Sequence, residues 1–431
     1  MGVLDRLSGV AALTALALAL PAVALAQSST GEPGQQPVDM QMDMSQPKGW
    51  RFTADGLVRL MFNHQAGPRG GDDVVAPNWW MGMASRSVRT SQLTLTGMLS
   101  LEPATVGESG YREIFQAGEA LNGLPLIDRQ HPHDLFMQLA AVWRTALTDR
   151  TGFTLAGGPA GEPALGPVAF MHRPSAAALP LAPLGHHTFD STHIAFGVVT
   201  AAVDHGPITA EASLFNGREP DQHRWNFDFG PLDSVSVRVW YRPTGNWELQ
   251  ASTGHLVDPE QLEPGNVERT TASAAWFRRS GRDFTALAFG YGVNATAEGS
   301  RHALFAEATR SEGSNVLSGR IEVLQVETNV LLNDVIPPPG SAARTDPVGA
   351  FTAALTHDVA RWRGLDVAAG GAVTLNAVPA ALRPAYGSHP VSFQVFLQVR
   401  PPVGRMGRMW NMRMARPMAG DTMAMATSHR R

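Results

Sequence analysis

The 431-residue chain contains no cysteine, which excludes disulfide bonds, thiolate metal sites and cysteine nucleophiles. A chain without cysteine suits export to an oxidising compartment. An excess of charge of one sign is also lacking. The 34 Lys and Arg residues are balanced by 38 Asp and Glu residues, which leaves a formal net charge of −4. Because nucleic-acid binding needs a strongly basic surface, we expect no nucleic-acid partner.

Known catalytic motifs are missing too, because the chain has no G-x-S-x-G elbow, no P-loop and no dinucleotide fingerprint. Ser191 and His193, with Asp190 beside them, would share a face if their segment were a strand. Some outer-membrane lipid hydrolases carry such a Ser–His pair on their lipid-facing surface. Ser-x-His is a common chance pattern, so we expect no enzymatic activity and keep an outer-membrane lipid hydrolase as an alternative.

Long apolar runs are scarce. The longest, residues 10–20, follows Arg6 and precedes Pro21 and the Ala-Leu-Ala of 24–26. This order predicts a signal peptide over 1–26 that is cleaved before Gln27. Beyond it no stretch of about 18 apolar residues could form a membrane helix. The mature chain is therefore predicted to be periplasmic, secreted or a β-barrel.

Composition divides the mature chain into three parts. Residues 27–49 are polar and rich in Gln, Pro and Gly, and residues 401–431 are basic and rich in Met. Neither segment has the apolar residues for a core, so we expect a flexible periplasmic arm and a disordered tail. Residues 50–400 lie between them as one body without a linker.

That body alternates with period two, which is strand periodicity. In segment 316–323, every second residue from Leu317 is Leu, Gly, Ile or Val. The residues between them are Ser, Arg and Glu. Segments 234–241, 247–253 and 392–400 alternate in the same way. The pattern predicts strands with one apolar and one polar face.

Turn signals separate these strands. Short turns, such as 243–246 and 279–282, alternate with longer connections, such as 255–267 and 328–347. Transmembrane barrels combine short turns at one end with long loops at the other. A large soluble β-protein would alternate similarly. The export signal, the long meander and aromatic pairs near strand ends favour the membrane.

We therefore predict an all-β fold, a single antiparallel transmembrane β-barrel of about 14 strands, within 12–16, because bacterial barrels have even strand counts. The aromatic pairs Trp79-Trp80 and Trp240-Tyr241, with Trp247, are candidates for the interfacial girdle. Residues 104–135 and 156–191 read as long loops that lie outside the barrel or fold into its lumen.

Histidine is concentrated in one region, because eight of the 14 lie between residues 131 and 223. Imidazole is the commonest protein ligand for zinc and copper. Pro132 separates His131 from His133 and favours a loop there. The candidate ligands in this region are His131, His133, Asp134, His186, His187 and His193, with Asp190 beside the second group. The alternative is a set of polar loop residues satisfied by water and neighbours.

Methionine is concentrated in the two tails. Thioether sulfur suits Cu(I), and Met-x-Met spacing lets several sulfurs bind one ion. The candidate ligands are Met40, Met42, Met44, Met406, Met409, Met412 and Met414, followed by Met418, Met423 and Met425. Seven of the ten lie in the C-terminal tail beside six arginines, so contact with anionic lipid headgroups is an alternative.

Three segments carry a resemblance to a known family. Segments 98–103 (MLSLEP), 127–137 (IDRQHPHDLFM) and 213–221 (SLFNGREPD) resemble a family of uncharacterised Gram-negative outer-membrane proteins. The resemblance covers about 50–400 and implies a barrel, but no activity and no functional residues. More loosely, the arm with Met40, Met42 and Met44 is similar to that of the outer-membrane copper-resistance B proteins.

The resulting expectation is an outer-membrane, porin-like channel involved in copper handling or resistance. An open lumen lined by Ser, Thr, Gln, Arg and Glu would pass small polar solutes, and copper or zinc would be the bound ion. The alternative is a structural or adhesion barrel without transport.

Overall fold

The structure, a computed structural model, describes residues 49–261, 265–281, 283–333 and 344–401. Almost all regular structure is β-strand. The first strands are β1 (Arg51–Gln65), β2 (Gly71–Val75), β3 (Asn78–Val88), β4 (Ser91–Leu99), β5 (Tyr111–Arg112), β6 (Glu119–Leu121), β7 (Leu124–Leu126), β8 (Arg129–Gln130), β9 (Phe136–Ala146) and β10 (Thr151–Ala160). The next are β11 (Val198–His205), β12 (Ile208–Phe215), β13 (Ser234–Tyr241), β14 (Trp247–Leu256), β15 (Val267–Ser280) and β16 (Asp283–Thr296). The last are β17 (Gly299–Glu312), β18 (Asn315–Glu327), β19 (Thr345–Trp362), β20 (Leu365–Ala377) and β21 (Val391–Arg400).

Helical segments are short. They are the α-helices α1 (Glu102–Thr105), α2 (His186–Phe189), α3 (Thr328–Asn333) and α4 (Arg383–Tyr386), and the 3-10 helices Phe170–His172 and Ser191–His193. No helix in the described part of the chain is long and apolar enough to cross a membrane.

The long strands form one closed antiparallel barrel. Each pairs with the next along the chain, and β1 closes the ring by pairing with β21. Strands β2 and β3 both pair with β1 and act as one strand interrupted at residues 76–77, where proline cannot donate to a ladder. Counted so, the barrel has 16 strands rather than about 14, at the upper end of the predicted range.

Side chains on the barrel wall follow the predicted alternation. Val235 and Val237 are 49% and 51% exposed on the outer face, whereas the alternate residues Ser236 and Arg238 are 4% and 2% exposed inside. An apolar outer face and a polar interior are the arrangement of a transmembrane barrel. Of the predicted girdle residues, Tyr241 and Trp247 are exposed, whereas Trp79 and Trp240 are buried and cannot contact the membrane interface.

The two ends of the barrel differ. Residues 51 and 400 and tight turns such as 206–207 and 313–314 lie at one end. The longest connections, 100–135, 161–197 and 216–233, lie at the opposite end, the long-loop end. In bacterial barrels the short turns are periplasmic and the long loops extracellular.

Residues 161–197, here called the plug, fold back into the lumen. Polar side chains of the wall bind the plug backbone: Arg320 donates to the carbonyl of Ala182 over 2.6 Å, and Arg238 donates to that of Gly166 over 2.9 Å. The amide of Gly166 donates to Ser252 Oγ over 2.9 Å. Most of the predicted loop 156–191 therefore folds into the lumen, where polar groups of the wall bind its backbone.

The plug remains irregular for a reason visible in its sequence. Proline recurs at 163, 167, 174, 180 and 183 and removes the amide donors that a helix or strand would need. Buried backbone groups must still be paired, and the barrel wall supplies those partners. The sequence thus favours an irregular segment that is stable only inside a polar cylinder.

Candidate metal centre in the lumen

Five histidines meet inside the barrel, near the long-loop end. Ring centroids lie 5.1 Å apart for His186 and His193, 5.4 Å for His133 and His193, and 5.6 Å for His186 and His187. His131 lies 6.3 Å from His133 and 6.1 Å from His186. The two groups that the sequence suggested separately therefore form one group, here called the histidine cluster.

Two loops supply the cluster. His131 and His133 flank Pro132 in a segment without strand pairing, as the proline predicted. Helix α2 carries His186 and His187, and the following 3-10 helix carries His193.

The barrel wall holds this part of the plug in place. Arg269 on β15 donates to Ser191 Oγ over 2.9 Å, and Asn294 on β16 donates to the carbonyl of His187 over 3.0 Å. Ser191 and His193 lie in a 3-10 helix that is buried in the lumen. The strand that would have placed both on the lipid face therefore does not form. That no reaction is catalysed stays a prediction.

Carboxylates contact four of the five imidazoles. His131 Nε2 lies 2.9 Å from Glu119, His133 Nδ1 lies 2.9 Å from Glu102, and His186 Nδ1 lies 2.7 Å from Asp190. The rings of His131 and His133 thus turn toward different carboxylates. Fixing one imidazole nitrogen in this way orients the ring and leaves the other for a ligand.

His187 has two carboxylate neighbours. Its Nδ1 atom lies 3.2 Å from Glu219 Oε1 and 3.7 Å from Glu260 Oε1. One donor atom from each of these three residues lies within 4.8 Å of the others, and no other trio in the described residues meets that limit. We call His187, Glu219 and Glu260 the carboxylate site. A Cβ at residue 118 would lie 2.8 Å from the His187 ring, so Gly118 makes room for that ring.

Electrostatics indicates that the carboxylate site carries a proton in the absence of a metal ion. Burial disfavours the imidazolium, but the carboxylates of Glu219 and Glu260 outweigh it and raise the pKa of His187 well above its usual value. For Glu219, burial raises the pKa, and the charge of His187 reverses this effect and lowers it below its usual value. Two negative oxygens therefore face one position that a cation can occupy.

His133 and His193 form the opposite side of the cluster. His133 Nδ1 contacts Glu102, and His193 Nδ1 lies 2.8 Å from the backbone oxygen of Asp190. Both Nε2 atoms are buried without a hydrogen-bond partner. Burial, followed by the charges of His186 and His133, lowers the pKa of His193 well below its usual value. His193 is therefore a neutral imidazole.

Asp134 does not contact a histidine. Its carboxylate accepts from Arg224 over 3.2 Å, and Arg224 also contacts Glu119. Burial raises the pKa of Asp134 to about 7, although Arg224 partly offsets it. Asp134 therefore helps to fix Arg224 and Glu119, and its direct ligand role stays a prediction.

The sequence reasoning missed the carboxylates Glu102, Glu119, Glu219 and Glu260. A signal for two of them was present, because Glu102 and Glu219 lie in two of the three segments that carry the family resemblance. Of the candidate methionines, Met40, Met42, Met44, Met406, Met409, Met412 and Met414 all lie outside the described residues, as do the signal peptide and most of both tails.

His172 gives the plug a pH dependence. Its ring packs edge-on against Trp79, with centroids 5.0 Å apart, and burial, followed by the charge of His133, lowers its pKa from 6.5 to about 4. The unfolded chain therefore binds this proton more tightly, so the stabilisation is complete above pH 6.5 and is lost as the pH falls toward 4.

We expect the free energy of unfolding to fall between pH 6.5 and 4, with a His172 contribution of at most about 3 kcal/mol. His172→Phe keeps a ring against Trp79 but cannot be protonated, so its loss over this range should be smaller. Equilibrium unfolding of both proteins across this range measures the difference. Identical pH profiles would show that His172 does not contribute.

No protein-family model and no curated protein matches this chain. Among solved structures, it is similar to OprB of Pseudomonas putida, at 9% identity and a TM-score of 0.52, over 82% of this chain and 94% of that chain. It is also similar to the anion-selective porin from Comamonas acidovorans, at 9% identity and a TM-score of 0.46, over 82% of this chain and 100% of that one. The likeness to OprB shows the fold, that of an outer-membrane β-barrel.

Proposed function

We propose that this chain is an outer-membrane barrel that binds a divalent transition-metal ion in its lumen, at His187, Glu219 and Glu260. One observation carries the proposal: donor atoms of the three residues lie within 4.8 Å of one another. Nitrogen and carboxylate donors suit Zn²⁺ or Cu²⁺ better than Cu⁺, which prefers sulfur. Metal handling, with copper or zinc as the ion, is the activity that this site supports best.

The position of the site suggests the side from which an ion arrives. Glu219 follows β12 and Glu260 follows β14, both at the long-loop end of the barrel. His187 reaches them from inside the plug. An ion entering from the extracellular side would meet the two carboxylates first and would join the plug to two surface loops.

Passage of small polar solutes is the second candidate function. It is favoured by the polar wall and by the likeness in fold to OprB, since 16-stranded barrels generally enclose an aqueous channel. In this chain such passage requires the plug to move. The two functions are compatible if the ion holds the plug in position.

The test is calorimetric titration of the refolded full chain with Zn²⁺. We expect one ion at the carboxylate site. Glu219→Gln keeps the shape of the side chain and removes its charge, so the affinity at this site should fall at least about tenfold to hundredfold, as changes around metal ligands do. The matched control is Glu312→Gln, in an exposed side chain at the opposite end of the barrel.

A second variant separates the lumen from the tails. It lacks residues 401–431 and carries leucine in place of Met40, Met42 and Met44. We expect it to retain the Zn²⁺ site. Binding that disappears with the tails but survives Glu219→Gln would place the metal ion in the tails and overturn the proposal.

A further inference from the structure

Two unpaired nitrogens in the histidine cluster need an explanation. The Nε2 atoms of His133 and His193 are buried without a hydrogen-bond partner, and each residue is only 9% exposed. A buried polar atom without a partner is destabilising. The His133 and His193 ring centroids are 5.4 Å apart, so one ligand could bond to both rings.

The hydrogen bonds made by Nδ1 indicate whether each Nε2 atom has a lone pair for a metal ion. The backbone oxygen of Asp190 only accepts, so His193 must donate from Nδ1, and its Nε2 then carries a lone pair. His133 Nδ1 faces the Glu102 carboxylate and must also donate. His186 is oriented in the same way by Asp190. Donation from Nδ1 to a carboxylate or carbonyl is the usual arrangement behind a metal-bound histidine.

Ring spacing fits this interpretation. Metal–nitrogen bonds of about 2.0–2.1 Å place two imidazole centroids on one tetrahedral ion about 5 Å apart. The ring centroid of His193 lies 5.1 Å from that of His186 and 5.4 Å from that of His133, so two of the three ring pairs have this spacing. The three donor nitrogens are not yet within 4.8 Å of one another, so binding requires a small rotation of the rings. A cavity of about 50 Å³, lined by Glu102, His131 and His133, borders the His133 side of this site.

We infer that a second metal ion binds to His133, His186 and His193, here called the imidazole site, beside the ion at the carboxylate site. This inference rests on the proposed function, because it makes the centre a pair of unlike sites. Imidazole nitrogens suit Zn²⁺ and copper. His186 and His187 are consecutive, with centroids 5.6 Å apart, so an ion could pass from the carboxylate site inward to the imidazole site.

The experiment counts ions. Full-length protein is saturated with Zn²⁺, which thioethers of the tails bind poorly, then desalted and assayed for bound zinc. We expect two ions for the unmodified chain, one for Glu219→Gln/Glu260→Gln and one for His193→Gln. The control His172→Phe, a plug histidine outside both sites, should keep two. Circular dichroism shows that each variant is folded.

X-ray absorption of the unmodified chain gives a second readout that does not depend on any variant. With both sites occupied, the spectrum should show two imidazoles per zinc ion, the mean of one and three. With the carboxylate site alone occupied, it should show one. One ion in the unmodified chain, unchanged by His193→Gln, would overturn the imidazole site and leave the proposed function standing. Two ions in His193→Gln would also overturn it. No bound ion at all would overturn both.

Discussion

Removal of the plug should convert the barrel into an open channel. The backbones of Gly161 and Ala195 are paired by two hydrogen bonds of 3.0 and 2.8 Å, so the ladder between β10 and β11 extends past the strand ends to this pair. A two-residue Asn-Gly turn can therefore replace residues 162–194. The resulting 16-stranded barrel would keep its wall and lose the segment that crosses its lumen.

Conductance across a planar lipid bilayer measures this change. We expect the conductance of a single inserted protein to rise by about tenfold or more, because barrels of this strand number leave an aqueous channel. The unmodified chain, inserted under the same conditions, is the control. Equal conductance of the two proteins would show that the plug does not close the lumen.

Arg173→Ala should release the plug without deleting it. Arg173 is 4% exposed, and its guanidinium donates to Glu307 on β17 over 2.7 and 2.8 Å and to the carbonyl of Val168 over 2.8 Å. It also lies over the Phe305 ring, 4.5 Å from the centroid. Truncation leaves the buried Glu307 carboxylate without its cation, a change that costs about 3–5 kcal/mol.

Hydrogen exchange of the plug amides is the appropriate measurement, because it reports local opening. We expect opening to increase about a hundredfold or more, while strands such as β16 keep their protection. Arg173→Met/Glu307→Met is the matched control, since replacing both charges with apolar groups is often tolerated. Unchanged exchange in Arg173→Ala would mean that this ion pair does not hold the plug.

Local periodicity predicted the strands, and the export signal and the long meander were also needed to favour a barrel in the membrane. Residues 234–241 alternate because one face meets lipid and the other the lumen, and the structure places Val235 outside and Arg238 inside. The same reasoning could not place Trp240, whose indole donates to Glu211 over 2.9 Å across neighbouring strands. A single strand pattern does not reveal a partner on another strand.

The candidate metal centre was predictable only in part, because its residues come from distant loops. Histidine enrichment identified His133 and His187, but not which carboxylate each would meet. Glu219 and Glu260 follow different strands and reach His187 only because the barrel closes and the plug turns inward. Long-range closure of this kind leaves no spacing pattern in one sequence.

The most direct test of the carboxylate site is anomalous diffraction from crystals of the full chain grown with Zn²⁺. We expect a zinc peak inside the barrel, about 2.0–2.2 Å from a His187 nitrogen and from oxygens of Glu219 and Glu260, with the plug in place beside it. A lumen without zinc at saturating concentration, or a peak bound only to residues outside the barrel, would contradict it.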